Sequence, residues 1–226
     1  MCGRYTLRVS AKELQEFFEI LRMPEGFEYR ASYNVPPTRY MPVVRLDAPG
    51  HRELTLMRWG LIPSWAKDIK TAGMLNNARA DTVATKPLFR TAFKKRRCLI
   101  PADGFCEWLT EGKTKRPHLI HRQDNKPFGF AGIWETWHDP QGAPVESYAI
   151  ITTDGGKLMA PIHDRQPVIV PPDNYDKWLN DAGKAPALLE QLTAKPGPYG
   201  DMEAFEVGKL VGNVKNDVPE CVEPLA

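Results

Sequence analysis

Seven short strand-like segments recur along this chain, and they limit what it can fold into more than any other feature. Each has four to seven residues, and clusters of Gly, Pro, Asp and Asn separate one from the next. Runs of this length between turn residues are typical of β-strands, since helices need longer periodic stretches. The segments cover residues 40–46, 53–59, 97–101, 118–121, 128–134, 147–153 and 166–170.

Helical patterns are few. Ser10 and Glu13 have the spacing of a capping box. The apolar positions that follow at helical spacing are Leu14, Phe17, Phe18 and Leu21. We expect this helix to continue to just before residues 24–26. Segments 87–93, 172–180 and 186–192 each have a proline near the first turn and predict three more helices. The pattern predicts an α+β fold, a β-rich single domain with a barrel-like sheet and a few flanking helices.

Length and composition favour one domain over residues 1–226. The chain has 226 residues, 42% of them hydrophobic, and no internal repeat or Gly/Ser linker divides it. Its formal net charge of +2 predicts no strong bulk attraction to nucleic acid, so an anion site must come from local clustering. No coiled-coil pattern or long apolar helix face requires a dimer, and we expect a monomer.

The four cysteines show no metal-binding spacing. Cys2, Cys98, Cys106 and Cys221 form no CxxC pair and no cluster with histidine. The sequence shows no secretion signal and no apolar run long enough to cross a bilayer. We therefore expect free thiols in a reducing cytoplasm, no metal, no cofactor and no membrane partner.

A cysteine is the second residue. Loss of Met1 would leave Cys2 with an α-amine and a thiol on adjacent carbons. Such a group attacks aldehydes, first as an imine and then as a closed thiazolidine ring. The thiol could alternatively act as an acyl-transfer nucleophile. Taken alone, Cys2 is more simply explained as an incidental start residue.

Five polar-rich segments stand out between the apolar runs. They cover residues 33–37, 59–65, 76–81, 101–108 and 162–167. Taken singly, each has an ordinary explanation, because most polar side chains are solvated or paired. The basic run at 94–97 is read as a solvated helix end, with a phosphate-binding patch as the alternative.

Five motifs occur in a fixed order along the chain. They are Met-Cys-Gly-Arg at 1–4, Asn-Ala-Arg at 77–79, Ala-Asp-Gly-Phe-Cys-Glu-Trp at 102–108, Ile-His-Asp-Arg-Gln-Pro at 162–167 and Gly-Asn-Val-Lys-Asn at 212–216. Together they resemble the SOS response-associated peptidase (SRAP) family of abasic-site processing proteins. Asp81 departs from the usual Glu of that family, and Cys106 departs from its usual aromatic residue. We expect both departures to affect packing and rate and to leave the chemistry intact.

The resemblance implies a catalytic group of four residues. After self-removal of Met1, the amine and thiol of Cys2 would capture the aldehyde of a ring-opened abasic site in single-stranded DNA as a thiazolidine crosslink, with lyase-type activity through the imine. Asn77 would orient the amine or the sugar. Glu107 would be a general acid and base, its pKa raised by burial beside Trp108. His163 would be a second proton carrier.

The resemblance also implies a DNA-binding set, which consists of Arg4, Asn34, Trp65, Arg79, Thr152 and Arg165. The arginines would hold phosphates and Trp65 would stack on a base, whereas Asn34 and Thr152 would contact the DNA backbone. The implied partners are single-stranded DNA with abasic sites and replication-fork proteins, with association with the nucleoid when the DNA is damaged.

Two alternatives stay open on the sequence. One is a cysteine peptidase that acts on other proteins, with Cys2 as nucleophile, His163 as base and Asn77 as orienter. The other is a non-catalytic module that binds single-stranded DNA. It predicts that no covalent product forms.

Overall fold

Short strands dominate the computed structural model, which describes residues 2–48, 50–69, 75–180, 183–194 and 199–225. Four α-helices lie within these ranges: α1 (Ala11–Phe17), α2 (Arg90–Lys95), α3 (Tyr175–Asn180) and α4 (Ala185–Thr193). The same ranges contain thirteen strands: β1 (Tyr5–Leu7), β2 (Ser32–Val35), β3 (Tyr40–Leu46), β4 (Arg52–Trp59), β5 (Asn77–Arg79), β6 (Arg97–Ala102), β7 (Gly104–Glu111), β8 (Thr114–Arg122), β9 (Phe128–His138), β10 (Pro144–Asp154), β11 (Arg165–Pro167), β12 (Ile169–Val170) and β13 (Met202–Glu206).

Five of the strands close into a barrel. The hydrogen-bonded order is β10, β4, β3, β6 and β9, and β9 pairs with β10 to complete the ring. The β10–β4 pair is parallel, and the other four pairs are antiparallel. Closure leaves no free edge among these five strands. The barrel-like sheet and the α+β class expected from the sequence are confirmed.

A second sheet places the N-terminus beside the barrel. Its order is β13, β8, β7, β1 and β2, with every pair antiparallel. The three-residue strand β1 lies between β2 and β7. The amide of Cys106 donates to the carbonyl oxygen of Arg4 at 3.0 Å, which extends this pairing toward Cys2. Residues 2–4 are thereby held against the start of β7.

Aromatic side chains fill the core between the sheets. Tyr5, Trp59 and Tyr148 are fully buried, with 5.1 Å between the ring centroids of Tyr5 and Trp59. The hydroxyls of Tyr5 and Tyr148 lie 2.7 Å apart and hydrogen-bond to each other. This contact satisfies two polar groups that would otherwise destabilise the core.

The predicted segments locate most of the barrel. Segments 40–46, 53–59, 97–101, 118–121, 128–134 and 147–153 all fall within observed strands. Segment 166–170 is divided between β11 and β12, because the amide of Val168 donates to the Ile151 carbonyl of β10 while its own carbonyl accepts from Ala131 of β9. Strands β1, β2, β5, β7 and β13 were not predicted. Parts of the polar segments at 33–37, 76–81 and 101–108 therefore lie in strands.

The capping box of α1 is confirmed, but the expected end of the helix is wrong. Ser10 caps the helix and exchanges hydrogen bonds with Glu13. The helix ends at Phe17, Glu19 adopts a φ of 51°, and Leu21 is 70% exposed. A left-handed residue cannot continue an α-helix, and the amide of Leu21 bonds instead to the Arg52 carbonyl of β4.

Helices also form near the other three predicted segments. Segment 186–192 lies within α4, and segment 172–180 begins as a 3-10 turn at Pro172–Asn174 before α3. The predicted segment 87–93 begins three residues before the observed helix, because α2 starts at Arg90. No helix in the described parts of the chain is both long and apolar enough to span a membrane.

The basic run at 94–97 is only partly the solvated helix end that we expected. Arg97 is buried at the start of β6 and donates to the carbonyls of Phe93 and Trp178. Arg96 pairs with Glu135 at 2.5 Å. Only the first two residues of the run, both lysines, are exposed.

Candidate active site

Cys2 is fully buried at the junction of the two sheets. Its carbonyl accepts a hydrogen bond from Asn77 Nδ2 at 2.9 Å. Burial, reinforced by the negative charge of Glu107, raises the pKa of the Cys2 thiol well above its ordinary value. The thiol is therefore protonated at neutral pH, and its use as a nucleophile requires a neighbouring base. All four cysteines are free, as expected, and all four are buried.

Strand β5 holds Asn77 in place. It pairs with β10 in parallel, with Asn77 opposite Ile150. The preceding carbonyl, of Asn76, accepts from the Ile150 amide and from the Trp59 indole, both at 3.0 Å. The Asn77 Oδ1 atom is buried and has no hydrogen-bond partner among the described residues. This side chain thus donates to Cys2 and keeps an acceptor available.

Glu107 lies on β7 and is 2% exposed. Burial is the main cause that raises its pKa, to about 7, and the charge of Asp164 acts in the same direction. The burial effect that we expected beside Trp108 is confirmed. A carboxyl group with this pKa is partly protonated at neutral pH, so it can both give and take a proton there.

His163 lies in the turn between β10 and β11. Its Nε2 atom is 4.0 Å from Glu107 Oε2, and the amide of Arg165 donates to its Nδ1 at 2.9 Å. Burial lowers the pKa of the imidazole, which favours the neutral ring. Asp164 Oδ1 also lies 2.9 Å from Nδ1, but that carboxylate is 86% exposed and solvent weakens its effect. The Arg165 amide therefore leaves the ring proton on Nε2, facing Glu107.

A surface cavity of about 480 Å³ lies beside Glu107 and His163. Its other lining residues are Trp108, Thr110, Lys115 and Gly212. The cavity is large enough for a small ligand, and both Glu107 and His163 lie at its wall. No group of three or more His, Cys, Asp or Glu side chains in the described ranges is arranged to hold a metal ion.

The chain matches a known family and several relatives along most of its length. The family profile described as SOS response associated peptidase (SRAP) matches residues 1–214. The chain belongs to the SRAP family. Abasic site processing protein YoqW of Bacillus subtilis (strain 168) is 44% identical over 225 residues, which cover 99% of each chain. Abasic site processing protein HMCES of Gallus gallus is 32% identical over all of this chain and 78% of its own.

The SRAP fold is also seen in solved structures. A crystal structure of a protein from Bacteroides thetaiotaomicron superposes on this chain with a TM-score of 0.88 and 29% sequence identity, covering 100% of both chains. The β-rich architecture is therefore shared across the full length of the chain.

Three of the residues implied to bind DNA have exposed or partly exposed side chains in this SRAP chain. Trp65 is 68% exposed. Arg79 is exposed and pairs with Asp81 at 2.7 Å. Arg4 is partly buried and donates to the carbonyls of Gly3 at 3.0 Å and Gly212 at 3.5 Å. Its Nε atom is buried and has no hydrogen-bond partner among the described residues.

The other three are buried and bonded within the protein. Asn34 Nδ2 lies 2.8–3.2 Å from three backbone carbonyls of residues 211–216, and so fixes the segment in which Gly212 lines the cavity. Arg165 bonds to the side chain and the carbonyl of Thr152 and pairs with Asp154 at 2.6 Å. These contacts brace β11 against β10. DNA contact by Asn34, Thr152 or Arg165 stays a prediction.

Sequence reasoning assigned no role to one buried carboxylate near the site. Asp103, between β6 and β7, is 1% exposed and accepts from the Thr6 hydroxyl, the Arg8 amide and the Arg8 side chain. It ties β1 to the start of the strand that carries Glu107. The position of Asp103 within the Ala-Asp-Gly motif is the sequence feature that could have indicated this role.

Proposed function

We propose that this chain processes abasic sites in single-stranded DNA by covalent capture through Cys2, once Met1 has been removed. The observation that carries the proposal is a chain of contacts: Asn77 bonds to Cys2, the Cys2 thiol feels the charge of Glu107, and Glu107 lies with His163 at the wall of one surface cavity. The names of its relatives in Bacillus subtilis and Gallus gallus, which describe abasic site processing, support the same substrate.

The chemistry needs no external reagent. The α-amine of Cys2 adds to the aldehyde carbon of the ring-opened sugar to give a carbinolamine. That intermediate loses water, with a proton supplied to its hydroxyl, and becomes an imine. The Cys2 thiol then adds to the imine carbon while its proton passes to the nitrogen, which closes a thiazolidine. One water molecule leaves overall.

The surrounding groups fit these proton transfers. Glu107, with a pKa of about 7, donates to the departing hydroxyl and then accepts from the thiol, whose own pKa is raised. His163, with its ring proton on Nε2, passes protons between Glu107 and the cavity. Asn77 Oδ1 accepts from the amine that Met1 removal creates. Asn77 Nδ2 keeps the Cys2 carbonyl fixed during the reaction.

Incubation with a single-stranded oligonucleotide that carries one abasic site tests the proposal. A denaturing gel should show a covalent adduct, and intact mass should show that the reacting protein lacks Met1. Absence of the adduct would favour the non-catalytic binding module. If the Glu107→Gln variant loses Met1 as completely as the wild type, housekeeping enzymes remove it and self-removal is excluded.

The peptidase alternative has weaker geometric support. Asn77 donates to the Cys2 carbonyl, and His163 Nε2 faces Glu107. In a peptidase, Cys2 would be the nucleophile, His163 the base and Asn77 the residue that orients the base. Asn77 would then have to hydrogen-bond to His163. Turnover of peptide substrates by the processed protein would revive this alternative.

Exposed Trp65 and the arginines predict how DNA binds. We expect Trp65→Ala to weaken binding of undamaged single strands by about 1–3 kcal/mol, because an aromatic face that stacks on a base is lost. Affinity should fall steeply with salt, since Arg4 and Arg79 neutralise phosphates. Fluorescence anisotropy at several salt concentrations measures both. Tyr40→Ala, at another exposed aromatic, is the control. Equal affinity for intact duplex would contradict this binding mode.

Gly155 predicts a rate effect that acts through His163. A Cβ at Gly155 would lie 2.6 Å from the backbone oxygen of His163, and the Gly155 amide donates to the Asp164 carbonyl at 2.7 Å. We expect Gly155→Ala to displace the His163 turn and slow adduct formation at least about tenfold, as small misplacements of catalytic groups do. Gly208→Ala meets nothing within 4 Å and should react like the wild type. An unchanged rate in a folded Gly155→Ala protein would refute the role of the turn.

A further inference from the structure

A groove separate from the cavity beside Glu107 runs along α2 and α4. It comprises two adjoining cavities of about 580 and 260 Å³ that share Ala84, Phe93 and Pro186. Phe93 and Leu189, each 4% exposed, form an apolar floor. The volumes are of the order of those of small-ligand sites, and no residue lines both this groove and the cavity at Glu107.

The two ends of the groove carry opposite charges. Arg90, Lys94 and Lys95 line one end, and within the described ranges none of them forms an ion pair. Asp81 and Glu190 line the other end. The two lysines are the part of the basic run at 94–97 that the fold leaves exposed, since Arg96 and Arg97 are bonded to the protein.

We propose that this groove binds a short peptide segment of a partner protein in which acidic residues stand next to aliphatic or aromatic ones. The cationic end matches acidic side chains, and the apolar floor matches hydrophobic anchors. A nucleic acid strand fits less well, because a strand that followed the groove would bring its phosphates against Glu190, while the charge of Asp81 is already paired with Arg79. The proposal does not depend on the chemistry at Cys2.

The two parts of the groove have separable effects on binding. The cations Lys94 and Lys95 attract an acidic segment and set its direction, which makes association sensitive to salt. Burial of an apolar anchor against Phe93 and Leu189 supplies most of the affinity, as buried anchors do at other interfaces. Loss of either part should therefore weaken binding.

A fluorescein-labelled, amidated peptide, Asp-Asp-Glu-Leu-Gly-Phe, tests the proposal by fluorescence anisotropy with the full chain. The charge-reversed double variant Lys94→Glu/Lys95→Glu removes the cationic end. Ala84→Trp fills the apolar part without a change of charge. Lys12→Glu/Lys126→Glu is the matched control, with the same change of net charge at residues outside the groove.

The expected result is saturable binding by the wild type and by the control pair. Binding should be at least about tenfold weaker in the charge-reversed variant, in Ala84→Trp and for the neutral peptide Asn-Asn-Gln-Leu-Gly-Phe. No saturable binding, full binding by Ala84→Trp, or equal loss in the control pair would overturn the proposal. Displacement of the peptide by undamaged single-stranded DNA would assign the groove to nucleic acid instead.

The same variants distinguish this site from the proposed reaction. Lys94, Lys95 and Ala84 lie outside the cavity at Glu107, so their variants should form the abasic-site adduct at the wild-type rate. A chain that crosslinks DNA normally and has lost peptide binding supports the groove alone. A chain that binds the peptide but forms no adduct refutes the proposed function and leaves the groove standing.

Discussion

Cys2→Ser should abolish the stable DNA adduct while leaving a Schiff base that borohydride can trap. When a cleavable N-terminal fusion exposes residue 2 directly, serine keeps the α-amine, so the imine still forms with the abasic aldehyde. Its hydroxyl cannot close a thiazolidine, and the imine hydrolyses unless it is reduced. We expect no adduct on a denaturing gel without reductant and a clear adduct with it. Wild-type protein should give the adduct under both conditions.

Two controls make the Cys2 result specific. Cys106→Ser changes another buried thiol, next to Glu107, and should still form the stable adduct. Thermal unfolding of both variants checks that a polar atom at a buried site has not unfolded the chain. A reductant-independent adduct from Cys2→Ser would mean that a different nucleophile captures the DNA, and the aminothiol mechanism would be wrong.

The sequence located the barrel better than it located the second sheet. Segments such as 40–46 and 128–134 form barrel strands that pair on both sides. Their long apolar runs made them recognisable in the sequence. Strand β1 has three residues, and β5 consists of Asn77, Ala78 and Arg79. Both strands form because longer strands pair with them. The residues of β5 carry little β-propensity signal, and β1, despite its Tyr and Thr, is too short to show a pattern. Tertiary pairing therefore decided what local pattern could not.

The candidate site, too, was only partly predictable from the sequence. Asn77 and Cys2 are 75 positions apart, and the parallel pairing of β5 with β10 is one of the contacts that hold them together. No spacing rule predicts such a crossover, so only the family resemblance suggested this group. The raised pKa of Glu107 was predictable, because a carboxyl next to a tryptophan on a strand is often desolvated. The buried positions of Asn34 and Arg165 were not, since each depends on backbone carbonyls that only the folded chain supplies.

Glu107→Gln should slow adduct formation by about 10²–10⁴-fold, the usual contribution of a positioned acid or base. The wild-type rate should fall as pH rises above about 7, because the protonated carboxyl that donates to the carbinolamine is then lost. This pH dependence should be absent in the variant. Single-turnover gels between pH 5 and 9 measure both. A cleavable N-terminal fusion that exposes Cys2 directly removes any dependence on Met1 processing.

In the Glu107→Gln variant, the free energy of unfolding at pH 8 should rise although the rate of adduct formation falls. The pKa of Glu107 is raised from 4.5 to about 7 in the folded chain, so the folded state binds more protons than the unfolded state between these values. Stability is then lost as pH rises through this window, by about 3 kcal/mol at 1.36 kcal/mol per pH unit. Glutamine stays neutral, and Glu107→Gln should be more stable than the wild type at pH 8 by an amount of this order.

Denaturant unfolding at pH 4 and pH 8 tests the stability difference, which should be small at pH 4. Glu206→Gln is a control of opposite sign, because Arg116 lowers the pKa of Glu206 and the ionised form is the stabilising one. That variant should lose stability at pH 8. A Glu107→Gln chain that is slower in the reaction and no more stable at pH 8 would show that burial does not disfavour the carboxylate. Gain of stability with loss of rate would mean that the fold keeps a destabilising carboxyl group because the reaction needs its proton.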